Sequence, residues 1–125
     1  MNSYEELEIF RRGKNLFFET HQISKDLPKF ELYELGSQIR RASDSVVSNI
    51  VEGYGRRRYK AEFVRFLTFS HASSIEIIFH LEKIGKLYPE LKKSSAELRL
   101  KYSELSKMIY KFTQFVEKNW KTQNQ

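Results

Sequence analysis

"NIVEGYGRRRYK", residues 49–60, is where the helical periodicity of the first half of the chain breaks. Gly53 and Gly55 flank Tyr54, and Arg56, Arg57 and Arg58 precede Tyr59 and Lys60. The stretch could be a nucleic-acid-binding loop, a phosphate cradle or a charged connection between two helices. The cradle fails first. A P-loop leads from a strand through a glycine-rich turn into a helix and ends in Lys-Ser/Thr. No such pair and no strand-like run are present here. Both flanks are helical in pattern, so the stretch joins two helices.

Upstream, Leu32, Leu35, Ile39, Ala42, Val46 and Ile50 recur at steps of three and four, which predicts a helix from about Glu31 to Glu52. Gly53 and Gly55 are expected to stop it, because glycine readily takes the left-handed conformation after a helix. Downstream, Phe63, Leu67, Ser70, Ser74, Ile77, Leu81 and Ile84 predict a helix from Lys60 to Leu87. "YPELKKSS" makes the next turn, and Ser94 with Glu97 reads as a capping box. Leu98, Tyr102, Leu105, Ile109, Phe112 and Val116 then form the seam of the last helix. At the other end, Ser3 with Glu6 reads as a capping box for a first helix, striped by Leu7, Phe10, Phe17, Ser24 and by Ile9, Leu16, Ile23, Leu27. Pro28 is expected to end that helix.

Four helices with short joins predict an all-α fold, an antiparallel up-down-up-down four-helix bundle. It forms one domain over residues 1–125, with residues 120–125 expected as a frayed tail.

With no cysteine in the chain, neither a disulfide nor a thiolate metal site is available. The start "MNSYEELEIF" has acids where a secretory signal carries bases, and no apolar run is long enough to span a membrane, so a cytoplasmic protein is expected. The net charge is +6, and residues 83–125 hold ten Lys/Arg against four Asp/Glu, so the excess lies in the last third. A basic excess favours nucleic acid or an acidic protein partner without choosing between them.

The third helix carries Phe66, Phe69, Ala72, Ile75 and Phe79 beside its main stripe. A helix apolar over so much of its circumference belongs to a wide core or to an oligomer interface. Phe66, Phe69, Ile75 and Phe79 are the interface candidates.

The run "FELYELGSQIRRASDSVVSNIVEGYGRRRYKAEFVRFLTFSHASSIEI" resembles the signature of the four-helix-bundle proteins named for intervening sequences in bacterial 23S ribosomal RNA genes. Among the matching positions are Glu31, Leu35, Gln38, Arg40, Arg41, Ser45, Asn49, Glu52, Gly53, Arg56, Phe63, Phe66, Ser74 and Glu76. His71 departs from it, standing where that family more often has another small or basic residue. The resemblance implies a compact bundle that often assembles as a homopentamer, with nucleic-acid association as the usual suggestion for its role.

Several polar groups are candidates for that contact. Arg56, Arg57, Arg58 and Lys60 can reach phosphate, and Tyr54 and Tyr59 can stack on a base. Arg41, Ser45, Ser48 and Glu52 share one face of the second helix, and Asn49 lies next to its apolar stripe. They can join helices or line a phosphate groove, as can Gln38 and Arg40. Lys107, Lys111, Lys118 and Lys121 point away from the seam of the last helix, which suits backbone attraction with little sequence readout. Each group can also be a solvated surface.

Enzyme readings are thinner. Glu76 and His80 are four apart, whereas di-iron bundles use Glu-x-x-His, so no metal or other cofactor is expected. "RFLTFSH", Arg65 to His71, resembles the Arg-x4-6-His motif of the all-helical HEPN ribonucleases, where arginine would steady phosphate charge and histidine would move a proton. The leading expectation is a non-enzymatic, oligomeric, weakly sequence-specific nucleic-acid-binding protein, with RNA as the ligand. The alternatives are a scaffold for an acidic protein partner and a metal-independent ribonuclease.

Overall fold

The computed structural model describes residues 3–122. A 3-10 turn over Tyr4–Glu6 leads into α1, Glu8–Ser24, and a second over Lys29–Glu31 precedes α2, Leu35–Gly55. Then come α3, Lys60–Leu87, a 3-10 turn over Pro89–Leu91, and α4, Lys92–Asn119. The described residues contain no strand, and none of their helices is long and apolar enough to cross a membrane.

The helices form a ring in which α1 and α3 each pack against α2 and α4. Ser45 meets Ser73, whereas Gly53, later in α2, faces Phe63 and Phe66, earlier in α3. Phe63 meets Phe112 and Trp120, whereas His71 meets Tyr110. These pairings run in opposite senses along neighbouring helices, as an antiparallel bundle with short joins requires.

The α3 stripe from Phe63 to Ile84 is buried at every expected position. Its serines bring helices close: Ser70 Oγ donates to the Val46 carbonyl of α2 at 2.6 Å. On α4, Leu98, Tyr102, Leu105, Ile109 and Val116 are buried and Phe112 is half-buried. The Tyr102 hydroxyl and Thr20 Oγ1 lie 2.7 Å apart, and Thr20 Oγ1 donates to the Leu16 carbonyl at 2.8 Å. This relay satisfies two buried hydroxyls between α1 and α4. Burial pushes the Tyr102 phenol pKa well above its ordinary value.

The element ends depart from the sequence expectation. Ser3 Oγ accepts from the Glu5 amide and caps a 3-10 turn, so α1 starts at Glu8 with Leu7 as its uncapped entry. The helix stops at Ser24, before Pro28. A 3-10 turn and a further turn precede α2, so α2 starts at Leu35, and Leu32 is exposed rather than in the core. The Glu31 carboxylate explains this entry: it accepts from the Leu35 amide at 3.4 Å and from the Tyr88 hydroxyl. Gly53 lies inside α2, and no glycine has positive φ. Its role is close packing, since a Cβ there would lie 3.1 Å from Phe66 Cβ. The Ser94–Glu97 capping box does not form. The turn at Pro89–Leu91 feeds α4 directly from Lys92, and Ser94 Oγ donates to the Leu91 carbonyl instead.

The expected frayed tail is docked through Thr122. Trp120 donates its indole N–H to the Arg57 carbonyl at 2.8 Å and packs edge-on against Phe63 at 5.1 Å. Thr122 Oγ1 accepts from the Lys60 amide at 3.1 Å, at an α3 N-terminus whose own N-cap residue, Tyr59, offers no side-chain cap. Residues 123–125 of the expected tail lie outside the described residues.

Candidate nucleic-acid interface

The docked tail places two basic groups, distant in sequence, at one end of the bundle. Lys60 of α3 and Lys121 line a single shallow groove together with Trp120, Thr122 and Glu117. The α2–α3 turn with Arg56–Arg58 is joined to the same place through the Trp120–Arg57 bond. Lys118 lies in the last turn of α4 and Lys121 just beyond its end, whereas Lys107 and Lys111 lie exposed farther along its outer face.

The three arginines are not equivalent. Arg56 is held by Glu52 at 3.4 Å and Glu62 at 3.2 Å, with its guanidinium over Phe66. Arg57 stacks on Tyr54 at 4.1 Å and donates to the Tyr54 carbonyl, which fixes the turn. Arg58 lies over Tyr59, whose ring is half exposed. Among the described residues, no carboxylate comes within ion-pairing distance of Lys60, Lys118 or Lys121. Of these, Lys60 and Lys121 share one groove and can meet an outside anion together. Tyr54 does not offer a stacking face: it is buried, edge-on to Phe63 and covered by Arg57.

The α2 candidates divide in the same way. Ser45 bonds Ser73 of α3, and the Asn49 amide donates to the Ser45 carbonyl and Oγ, so both serve the α2–α3 contact. Arg40 donates to the Leu32 carbonyl at 2.7 Å and braces the entry to α2. Arg41, Gln38 and Ser48 are exposed.

Of the interface candidates on α3, Phe69, Ile75 and Phe79 are exposed. Phe66 is half-buried, stacked on by Arg56 and packed toward Gly53, so it serves mainly within the chain.

The ribonuclease pair does not converge within one chain. Arg65 pairs with Glu62 and lies over Phe66 and Phe69, whereas the His71 ring faces Tyr110 of α4. Six residues along a helix separate side chains by about 120°. Glu76 Oε2 and His80 Nε2 are 3.0 Å apart, with His80 Nδ1 buried and unpartnered. No group of three or more potential metal ligands exists among the described residues.

Sequence reasoning treated the turn and the end of α4 as separate. Trp120 and Thr122 join them, and neither belongs to a periodic pattern that would have signalled it. No curated protein matches the chain. A family model described as 23S rRNA-intervening sequence protein matches residues 5–111. With the helices, their core stripes and that match in agreement, the chain belongs to the 23S rRNA-intervening sequence protein family.

Proposed function

We propose that this protein is a non-enzymatic, oligomeric nucleic-acid-binding protein that takes RNA with little sequence specificity. The observation that carries the reading is the basic pole: Lys60 and Lys121 in one groove, beside the turn of Arg56–Arg58. Flexible cations at an exposed helix end attract phosphate without reading base edges. The exposed half of Tyr59 adds a surface on which an unpaired base can stack. Phe69, Ile75 and Phe79 would be covered by other copies of the chain, repeating the pole around the assembly and raising the effective concentration of each contact. Five copies is the number that the family likeness favours. Arg65 and His71 point to different faces, which disfavours the ribonuclease reading.

The test is a salt titration of RNA binding. Replacing Arg56, Arg57 and Arg58 by alanine should weaken binding broadly. Each lost phosphate contact should flatten the log–log salt slope by up to about 0.9. Unchanged affinity in the triple variant at every salt concentration would make the turn a solvated connection and leave an acidic protein as the better partner.

A further inference from the structure

The charge on α4 is not balanced as a solvated helix face usually is. Its cations and anions do not pair along the helix: Glu104 reaches Arg12 of α1, and Lys101 bonds Glu19 of α1 at 2.8 Å. Lys92, Arg99, Lys107, Lys111, Lys118 and Lys121 have no carboxylate within ion-pairing distance among the described residues. The placement carries local costs. Lys107 and Lys111 are like charges four apart, which destabilises a helix. Lys92 lies in the first turn of α4, where the helix dipole disfavours a cation and no acid is present to offset it.

The far end of α4 also has a groove. A cleft of about 500 Å³ opens between the end of α3 and the start of α4. Lys86, Lys92 and Arg99 line it against one carboxylate, Glu82, which lies 3.7 Å from Lys86. Both ends of α4 are thus basic, with Lys107 and Lys111 between them. From Lys92 to Asn119 the helix rises about 40 Å at ~1.5 Å per residue, with Lys121 just past its end.

We infer that α4 is a phosphate-binding track, running from the basic pole at Lys60 and Lys121 to a second nucleic-acid contact in the Lys86–Lys92–Arg99 groove. The inference rests on the nucleic-acid reading above and adds a length requirement to it. A duplex rising roughly 3 Å per base pair needs about a dozen pairs to reach from one end to the other. Shorter ligands engage one end only.

The experiment measures binding of labelled duplex RNA of about 8 and about 24 base pairs, chosen to fall either side of that span. The parent should bind the longer duplex about tenfold or more tightly, with a steeper salt slope. A variant carrying Lys86→Gln, Lys92→Gln and Arg99→Gln should lose that difference, binding the longer duplex about as tightly as the shorter one. Lys107→Gln with Lys111→Gln, at the middle of the track, should reduce the difference in part, and it provides a second reading if the groove variant melts early. A parent that binds both lengths alike, or a folded groove variant that keeps the full length dependence, overturns the track and leaves the basic pole standing. A parent that binds neither duplex nor single-stranded RNA overturns both.

Discussion

Two glycines separated by one residue, Gly53 and Gly55, have opposite surroundings. Gly53 is buried, and a Cβ there would meet Phe66 Cβ at 3.1 Å and the Phe63 carbonyl at 3.4 Å. These atoms are tied to the α3 backbone and cannot rotate away. At Gly55 a Cβ would meet nothing within 4 Å. Alanine gains up to about 1 kcal/mol of helix propensity over glycine, so Gly55→Ala should stabilise by roughly 0.5–1 kcal/mol. Gly53→Ala should destabilise by about 1–2 kcal/mol net, because overpacking exceeds that gain. Urea melts of the two variants decide the signs. Tyr88 gives a second prediction at this scale. Its hydrogen bond to Glu31 pushes its pKa from about 10 up to about 12. The protonated phenol is therefore favoured in the folded state. Its stabilising effect is complete below about pH 10 and disappears as pH rises through about 12. Tyr88→Phe should lower the thermal midpoint at neutral pH and remove this part of the alkaline loss, as a comparison of melts from pH 8 to 11.5 would read. The sequence suggested Gly53 as a helix stop, whereas it lies inside α2 as a point of close packing. A glycine marks backbone freedom or close approach equally, and only the neighbouring helix tells which.

Among the elements, α3 and the seam of α4 were the most legible, because steps of three and four alternate from Phe63 to Ile84 and from Leu98 to Val116, with a buried side chain at nearly every expected place. The join between α1 and α2 was not. Leu32 opens the apolar rhythm of what looked like helix, yet it is exposed on a turn residue. The contact that sets this entry is Glu31 with Tyr88, and those residues are far apart in sequence. The docked tail was hidden for the same reason. Trp120→Phe removes the indole donor to the Arg57 carbonyl, so it should cost about 1 kcal/mol. It should also weaken RNA binding by loosening Lys121 from Lys60. Thr122→Val provides a smaller version of the same change. Equal stability and equal RNA affinity in both variants would reduce the tail to a passenger.

At the scale of the whole molecule, Phe69, Ile75 and Phe79, spread over the outer side of α3, are more exposed apolar surface than a lone soluble chain usually carries. Light scattering should find an oligomer, and Phe69→Glu with Phe79→Glu should return it to monomer with its helicity intact. A parent that stays monomeric at tens of micromolar would remove the multiplied basic pole from the proposed function. The α3 surplus was readable in the sequence as excess apolar circumference. The division of the cations into internally held and outward-facing groups was not, because it depends on which carboxylates the other helices bring near.

The docking of Trp120 has a spectroscopic consequence. It is the single tryptophan of the chain, half-buried against Phe63 and in the same groove as Lys60 and Lys121. The Lys86–Arg99 groove opens at the other end of α4. The protein therefore carries a fluorophore at one of its two basic ends, and its emission should respond when RNA occupies that end. A label on the RNA reports binding anywhere. The difference between the two optical signals, recorded in the same cuvette, assigns each binding step to its end of the bundle.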